Sequence, residues 1–528
     1  MKTFLQTIIC SCLIVFAYAQ APTIKWQHTY GGTGDDEARA IDITSDGGTI
    51  IAGYTNSTNG QVTGFHFNFD YWIVKLNSAG SIQWESAFGG SNNDVANDVH
   101  QTRDGGYIVA GFSESADGDL NGSGANGEDD FWVLKLDAGG HKQWSKLYGG
   151  WADDVAHSIQ QTSDGGYIVA GESYSSNVPG HHGADDFMLV KIDSSGNVQW
   201  ENSYGGSGYE FATRVLQESD GSYMVVGSES STDGQVTGNR GSSDLWVLHL
   251  AANGNMLWQK TYGGSGLDNG YALADAGNGK FFIAAQSYST DGQVTGNHGN
   301  GDFWILKINA NGSLLWQKAY GGSDYDQPVS IAKTKDGGCF VTGMERSVNG
   351  DVTGNNGNYD FWAVKLKSNG DLMWQKSLGG NQYDEGFGGK QTSDGGFMLS
   401  GFTSSSNGEV TSYHGGIADF WVVKLNKSSG TTVFSKPESP AAALLAVYPN
   451  PGNGMLKLNL NLNEESTQSA GIHIVNETGQ IVFSKIVSIQ NGQLQTDLAL
   501  SGKLSGGTYF VVVTINGKQY SSRFVIQQ

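Results

Sequence analysis

The sequence predicts an all-β protein: a seven-bladed β-propeller followed by a small Ig-like β-sandwich. Three observations carry this prediction. A Gly-Gly pair begins at Gly31, Gly89, Gly149, Gly205, Gly263, Gly321 and Gly379, with gaps of 58, 60, 56, 58, 58 and 58 residues. Each interval holds four short runs rich in β-branched and aromatic residues, separated by Gly, Asn and Asp. After residue 436 the repeat stops, and shorter alternating runs follow to the end of the chain.

In chain order, residues 1–19 read as a signal peptide. Lys2 supplies a positive start, residues 8–16 an apolar core, and Ala17-Tyr18-Ala19 a small-residue cleavage pattern. The mature chain is expected to begin at Gln20. Cys10 and Cys12 fall inside the removed segment and not at the first mature position, so no lipid anchor is expected. No other run is long and apolar enough to span a bilayer. Cys339 is then the one remaining cysteine, so packing rather than a disulfide must hold the mature fold. A net charge of −22, from 52 acids against 30 bases, excludes nucleic acid and anionic membrane surfaces as main partners. It suits solubility outside the cell and leaves room for cation binding. The 78 glycines sit periodically at turns, which points to many short strands rather than disorder.

The repeat, residues 20–436, divides into four strands per unit. The first follows the Gly-Gly pair and an acid, as at residues 96–102. An Asp-Gly-Gly turn comes next, at Asp46, Asp104, Asp164, Asp336 and Asp394, since glycine tolerates the positive φ of tight hairpins. The fourth copy has Asp220-Gly221-Ser222, and the fifth uses Asn278-Gly279. The second strand is of the Tyr-Ile-Val-Ala-Gly type, the third of the Phe-Trp-Val-Val-Lys-Leu type, and the fourth carries another tryptophan, as at Trp84. The second and third strands are apolar on both faces, as strands covered on both sides must be. This favours blades stacked about an axis over a β-helix, whose coils are shorter. One extra tryptophan strand precedes the first unit, at residues 24–30, and a Phe434 version follows the last, at residues 431–436. The N-terminal copy matches the repeat better and is expected to complete the last blade. Units spelled Tyr-Gly-Gly-Ser, then Asp, then Asp-Gly-Gly-Tyr-Ile-Val-Ala-Gly, over about residues 24–436, resemble the bacterial secreted β-propeller repeat family. The resemblance implies a fold and an extracellular setting, not a reaction.

Residues 437–445 read as a linker, with Pro437 and Pro440 among small residues. Residues 446–528 then hold six or seven short strands, enough for a small β-sandwich. Tyr448-Pro449-Asn450-Pro451, Asn476-Glu477-Thr478-Gly479-Gln480 and Leu504-Ser505-Gly506-Gly507-Thr508-Tyr509 resemble the type A C-terminal sorting domain of the type IX secretion system. The ending Arg523-Phe524-Val525-Ile526-Gln527-Gln528 departs from the lysine-rich finish common in that family. The resemblance implies the type IX machinery as a partner, passage across the outer membrane, and a final place outside the cell or on its surface.

Candidate chemistry lies in the loops. One acid per unit follows the Gly-Gly pair: Asp36, Asp94, Asp154, Glu210, Asp268, Asp326 and Asp384. With the first strand innermost, these seven would ring the channel mouth and could hold a divalent cation or a cationic ligand. Alternatively, each bonds the backbone of its own turn. A second acid opens the third strand (Asp70, Asp130, Asp186, Asp244, Asp302, Asp360, Asp419), and five residues later stands a lysine, or His249 in the fourth copy. The two read as a structural pair, the lysine stem packing between blades. Trp151 occupies a loop position held elsewhere by Thr, Ser or Asn; it could stack on a sugar or pack on the next blade. His182, His298 and His414, with His181, recur in long loops of alternate units and read as solvent-facing.

The Asp-Gly-Gly turn is similar to the Asp-box hairpin of sialidases, a structural element there, but the arginines that chemistry needs are few. Neither a nucleophile elbow, a zinc-protease helix nor a phosphate loop is present. The leading expectation is a monomeric, non-catalytic binding or adhesion module with a glycan or protein ligand. An extracellular polysaccharide hydrolase and a ligand-free spacer remain as alternatives.

Overall fold

A computed structural model describes residues 21–121 and 128–428, and towards the C-terminus 445–449, 455–461, 469–476, 481–489, 493–500, 504, 506–515 and 518–526. The expected signal peptide, the linker and the Phe434 strand lie outside these residues. The described chain forms two units, one before residue 429 and one after residue 444.

The first unit consists of seven four-stranded antiparallel sheets. Blade 1 is Asp36–Ile43, Thr49–Thr55, Asp70–Leu76 and Ile82–Phe88, paired in that order. Blades 2 to 6 repeat this at residues 94–148, 154–204, 210–262, 268–320 and 326–378. Blade 7 takes three strands from residues 384–425 and its fourth, Ile24–Tyr30, from the other end of the chain. That strand pairs antiparallel with Asp419–Leu425, so the N-terminal tryptophan strand closes the ring.

The two apolar faces of the middle strands are explained by stacking. The third-strand tryptophan of one blade packs on the Phe or Tyr before the equivalent position of the preceding blade. Ring centroids are 4.2 Å apart for Tyr71–Trp132, 4.7 Å for Phe187–Trp246 and 4.5 Å for Phe303–Trp362. The same contact spans the closure, Phe420 lying 4.5 Å from Trp72. These tryptophans are fully buried, and burying such a ring contributes several kcal/mol, in the range of about 3–5 lost on truncation. A second latch joins neighbours at the outer strands: the Tyr148, Tyr204 and Tyr262 hydroxyls donate to Gly196, Gly254 and Gly312 carbonyls at 2.7, 2.5 and 2.5 Å. Tyr30 donates likewise to Gly80 across the closure, at 2.5 Å.

The expected pairing of the third-strand acid with the lysine five residues on is corrected. An odd separation puts two residues on opposite faces of a strand. Five of the six lysines instead reach the hairpin aspartate: Lys75–Asp46, Lys191–Asp164, Lys365–Asp336 and Lys424–Asp394 at 2.9 Å, and Lys135–Asp104 at 3.0 Å. The rule holds where the pattern breaks. The fourth copy, with no Asp-Gly-Gly, places His249 2.9 Å from Glu218.

The second unit is a two-sheet sandwich. Ala446–Tyr448, Met455–Asn461 and Gln493–Ala499 form one sheet. Ile481–Ser488, Ser469–Asn476, Gly507–Ile515 and Lys518–Ile526 form the other. Alternate side chains, among them Leu456, Leu458, Leu460, Ile472, Ile474, Val511 and Val513, meet in its core, the alternation expected of sheets with one face to solvent.

Candidate functional site

The first strands are innermost and line the channel, but the seven acids that open them do not point into it. Strand alternation puts Glu37 and Arg39 on the partly exposed side of the first strand and Asp36 and Ala38 on its buried side. All seven acids are fully buried. Each accepts the second Gly N–H of its own pair, at 2.8 Å for Gly32–Asp36 and Gly90–Asp94, and 2.6 Å for Gly150–Asp154. The others do the same: Gly206–Glu210 and Gly380–Asp384 at 2.7 Å, Gly264–Asp268 and Gly322–Asp326 at 2.8 Å. Serine hydroxyls complete the shell, Ser57 on Asp36 at 2.8 Å and Ser289 on Asp268 at 2.6 Å among them. Of the two readings of this series, the geometry is that of the local turn. Among the described residues, no three His, Cys, Asp or Glu side chains are grouped to hold a metal ion.

The loop histidines are also held by their own blades. His298 Nδ1 lies 2.8 Å from Asp302, and His414 Nδ1 3.0 Å from Asp419; His66, not singled out from sequence, lies 3.0 Å from Asp70. Each backbone N–H donates to the same acid, at 2.8, 2.6 and 2.7 Å. This is the work of the third-strand acid: it caps the long loop. Trp151 behaves differently. Its N–H is pinned to Asn177 at 3.0 Å while its ring is 74% exposed, so it does not pack on the next blade.

The departures from the repeat that matter most surround the channel. At its loop end, the residue before each first-strand acid lies beside the residue before the third-strand acid of the preceding blade, as in the bridges Asp185↔Tyr209 and Tyr359↔Tyr383. Blades 6 and 7 fill these positions with tyrosine. Tyr325, Tyr359 and Tyr383 form a chain with centroids 5.8 Å apart, edge-on and then stacked. The Arg346 guanidinium stands 5.9 Å from the Tyr359 centroid. Blades 1 to 3 fill the same positions with Asp35, Asp129, Asp153 and Asp185, next to Glu114 and Glu172. Burial, then Glu114 and Asp153, push Asp129 up to about 7. Burial, then Glu172, push Asp185 to about 9. Among the described residues, Oδ1 of Asp35, Asp129 and Asp185 has no hydrogen-bond partner.

At the hairpin end the channel opens into a cavity of about 540 Å³, lined by all seven innermost strands. It holds a second asymmetric cluster, of Asp42, Asp98, His100, Arg214 and Lys390. Asp98 is buried and lies 2.6 Å from Arg214 Nη1, two blades away. His100 bridges Asp98 and Asp42, at 3.4 Å from each. Burial works against the imidazolium, but Asp98 and Asp42 outweigh it and hold His100 near 9. Sequence reasoning passed over this cluster. The visible trace was charge at inner-strand positions that other copies fill with Ala, Ser, Gly, Leu or Gln.

With the geometry in hand, comparison with known proteins bears on both units. The family model of a secretion system C-terminal sorting domain matches residues 446–527. The C-terminal module is a sorting domain. It marks the chain for type IX export to the cell surface or beyond. Among the described residues, no helix is long and apolar enough to cross a membrane. A curated relative, the Regulatory protein FlaEY of Caulobacter vibrioides, is 25% identical over 362 residues, 62% of this chain. The match spans 34% of that relative's length. PorZ, a surface component of the type IX secretion system of Porphyromonas gingivalis, aligns over 94% of this chain and 60% of its own, at 13% identity and a TM-score of 0.38. The Pan2 WD40 domain of Neurospora crassa aligns over 76% and 92%, at 12% identity and 0.40. At these scores the propeller stands on its own strand pairing and ring closure.

Proposed function

We propose that the exported propeller is a non-catalytic binding and adhesion module that takes a glycan at the loop end of its channel. One observation carries the reading. Equivalent positions around one mouth hold tyrosines in blades 6 and 7 and carboxyl groups in blades 1 to 3. A blade needs neither, since other copies place Asn93, Ser243 or Ala418 there. Aromatic faces stack on the C–H faces of sugar rings, and the carboxyl groups of Asp153, Glu172 and Glu114, which reach the surface, accept from hydroxyls. The loops that present them are fixed by their own hydrogen bonds, so little ordering entropy opposes binding.

The test is a glycan array probed with the folded chain. Tyr359→Ala combined with Tyr383→Ala should weaken binding by about tenfold, two ring contacts being worth roughly 0.5–1.5 kcal/mol each. Asp153→Asn should weaken it separately, and Trp151→Ala asks whether the exposed indole extends the same surface. Equal binding by the tyrosine double variant would rule out this mouth; an array with no hits would leave the spacer reading.

A further inference from the structure

The hairpin end of the channel carries a charge opposite to that of the whole molecule. The chain has 30 bases against 52 acids, and six arginines. Three of these, Arg39, Arg103 and Arg214, line the channel cavity, together with Lys333, Lys390 and His100. The acids facing the same space are Asp42, Asp98 and Asp275. Two of those are already engaged. Asp98 is held by Arg214 at 2.6 Å, by the Ile159 N–H at 3.0 Å and by His100 at 3.4 Å. Asp42 faces His100 at 3.4 Å and Lys390 at 3.9 Å.

Arg214 uses one nitrogen on Asp98 and leaves 26% of its side chain exposed to the cavity. Lys390, on the far side of the same cavity, stays 35% exposed. Arg103 bonds only a carbonyl, that of Ser163 at 3.3 Å, and the structure gives Lys333 no acid partner among the described residues. These cations come from blades 2, 4, 6 and 7 and converge on one space. None belongs to the repeat: the positions of Arg214 and Lys390 are Ala272 and Ala274 in blade 5. Burying Asp98 against the half-buried Arg214 costs desolvation, and packed apolar residues would stabilise the ring at least as well. Its use is to fix the guanidinium in place with free donors facing the channel, where the fork geometry suits an oxyanion.

We propose that this end of the channel binds a small oxyanion-bearing ligand, a carboxylate or sulfate either free or carried on an acidic sugar, between Arg214, Lys390 and Arg103. The site lies at the opposite end of the channel from the tyrosine mouth and does not depend on it. The cavity, at about 540 Å³, is large enough for one monosaccharide.

The experiment uses the whole folded chain, followed by thermal melting and titration calorimetry. The probes are sodium sulfate and sodium glucuronate, with glucose and ionic-strength-matched sodium chloride as controls. A saturable rise in melting temperature is expected with an oxyanion and not with glucose or chloride. Tighter binding of glucuronate than sulfate would assign the site to an acidic sugar, the reverse to a free anion. Asp98→Asn with Arg214→Gln, which removes the pair without stranding a charge, should abolish binding. Lys390→Ala and Arg103→Gln should each weaken it several-fold, and they decide the matter if the pair variant does not fold. Tyr359→Ala with Tyr383→Ala should leave it unchanged. No saturable effect of either anion on the wild type overturns the proposal, as does undiminished binding by the Lys390 and Arg103 variants.

Discussion

At the scale of single residues, small side chains in the second strand decide whether a blade can form. A Cβ added to Gly171 would lie 1.9 Å from the Val155 carbonyl oxygen, on the bulge where the first strand slips register by one residue. The partners at this point are Ala38 with Gly53, Ala96 with Gly111 and Ala156 with Gly171. Blade 5 reverses them, pairing Gly270 with Ala285. One methyl group is tolerated across the bulge and two are not. Gly171→Ala should therefore destabilise the protein by about 1–3 kcal/mol, the usual cost of overpacking. Chemical denaturation of this variant against Ala285→Gly checks it: the second change removes a methyl without adding a clash and should cost less.

At the scale of the strand and hairpin, the lysine–aspartate latch shows why similar residues need not do similar work. Lys191 is buried and donates to Asp164, the Ile192 carbonyl and Gln199 at 2.9, 3.1 and 2.9 Å. Lys307 occupies the same strand position in blade 5, where no hairpin aspartate exists, and sits 4.5 Å from the Phe282 ring centroid. Lys191→Met should cost about 1–3 kcal/mol, since the Ile192 carbonyl loses a buried donor. Lys307→Met should be near neutral or stabilising. Matched melting curves of the two variants separate the latch from mere stem packing, because both keep an apolar side chain of similar length.

At the scale of the whole molecule, ring closure and buried carboxyl groups set stability. The strand Ile24–Tyr30 supplies a full edge of blade 7. Removing residues 20–30 should lower the melting temperature by well over ten degrees or abolish the cooperative transition, as calorimetry would record; an unchanged transition would contradict closure. The pH dependence follows from two sets of acids. Burial raises Asp94 and Asp360 to about 7 and Asp326 to about 6, despite the hydrogen bonds that each accepts. In these the native state holds protons that the unfolded chain, titrating near 4, releases, so stability falls as pH rises from about 4 towards 7. Asp46, Asp104 and Asp164 run the other way: burial pushes them up, but threonine and lysine hydrogen bonds win and hold them near 2. Their contribution is lost as pH falls from about 4 through 2. The melting temperature should therefore peak near pH 4–5 and decline towards pH 8. A steady rise over that interval would show that the buried acids are not the controlling groups.

The spacing of the Gly-Gly pairs, the hairpin turns and the doubly apolar middle strands determined the propeller, its seven blades and the strand that closes it. A period and a burial pattern are written along the chain, where local physics can be read one copy at a time. The sorting domain was equally legible, because its motifs are short and contiguous. What only the tertiary structure decided is which way side chains point and which of them meet. It turned the seven first-strand acids into their own turns, because alternation along a strand puts Asp36 on the buried side and Glu37 on the partly exposed one. It moved five lysines from the acid five residues before them to the hairpin of their own blade. It brought Asp98 to Arg214 across 116 residues and set tyrosines facing carboxyl groups around one mouth. Such meetings depend on the closed ring, and a linear sequence records each partner without recording the distance between them.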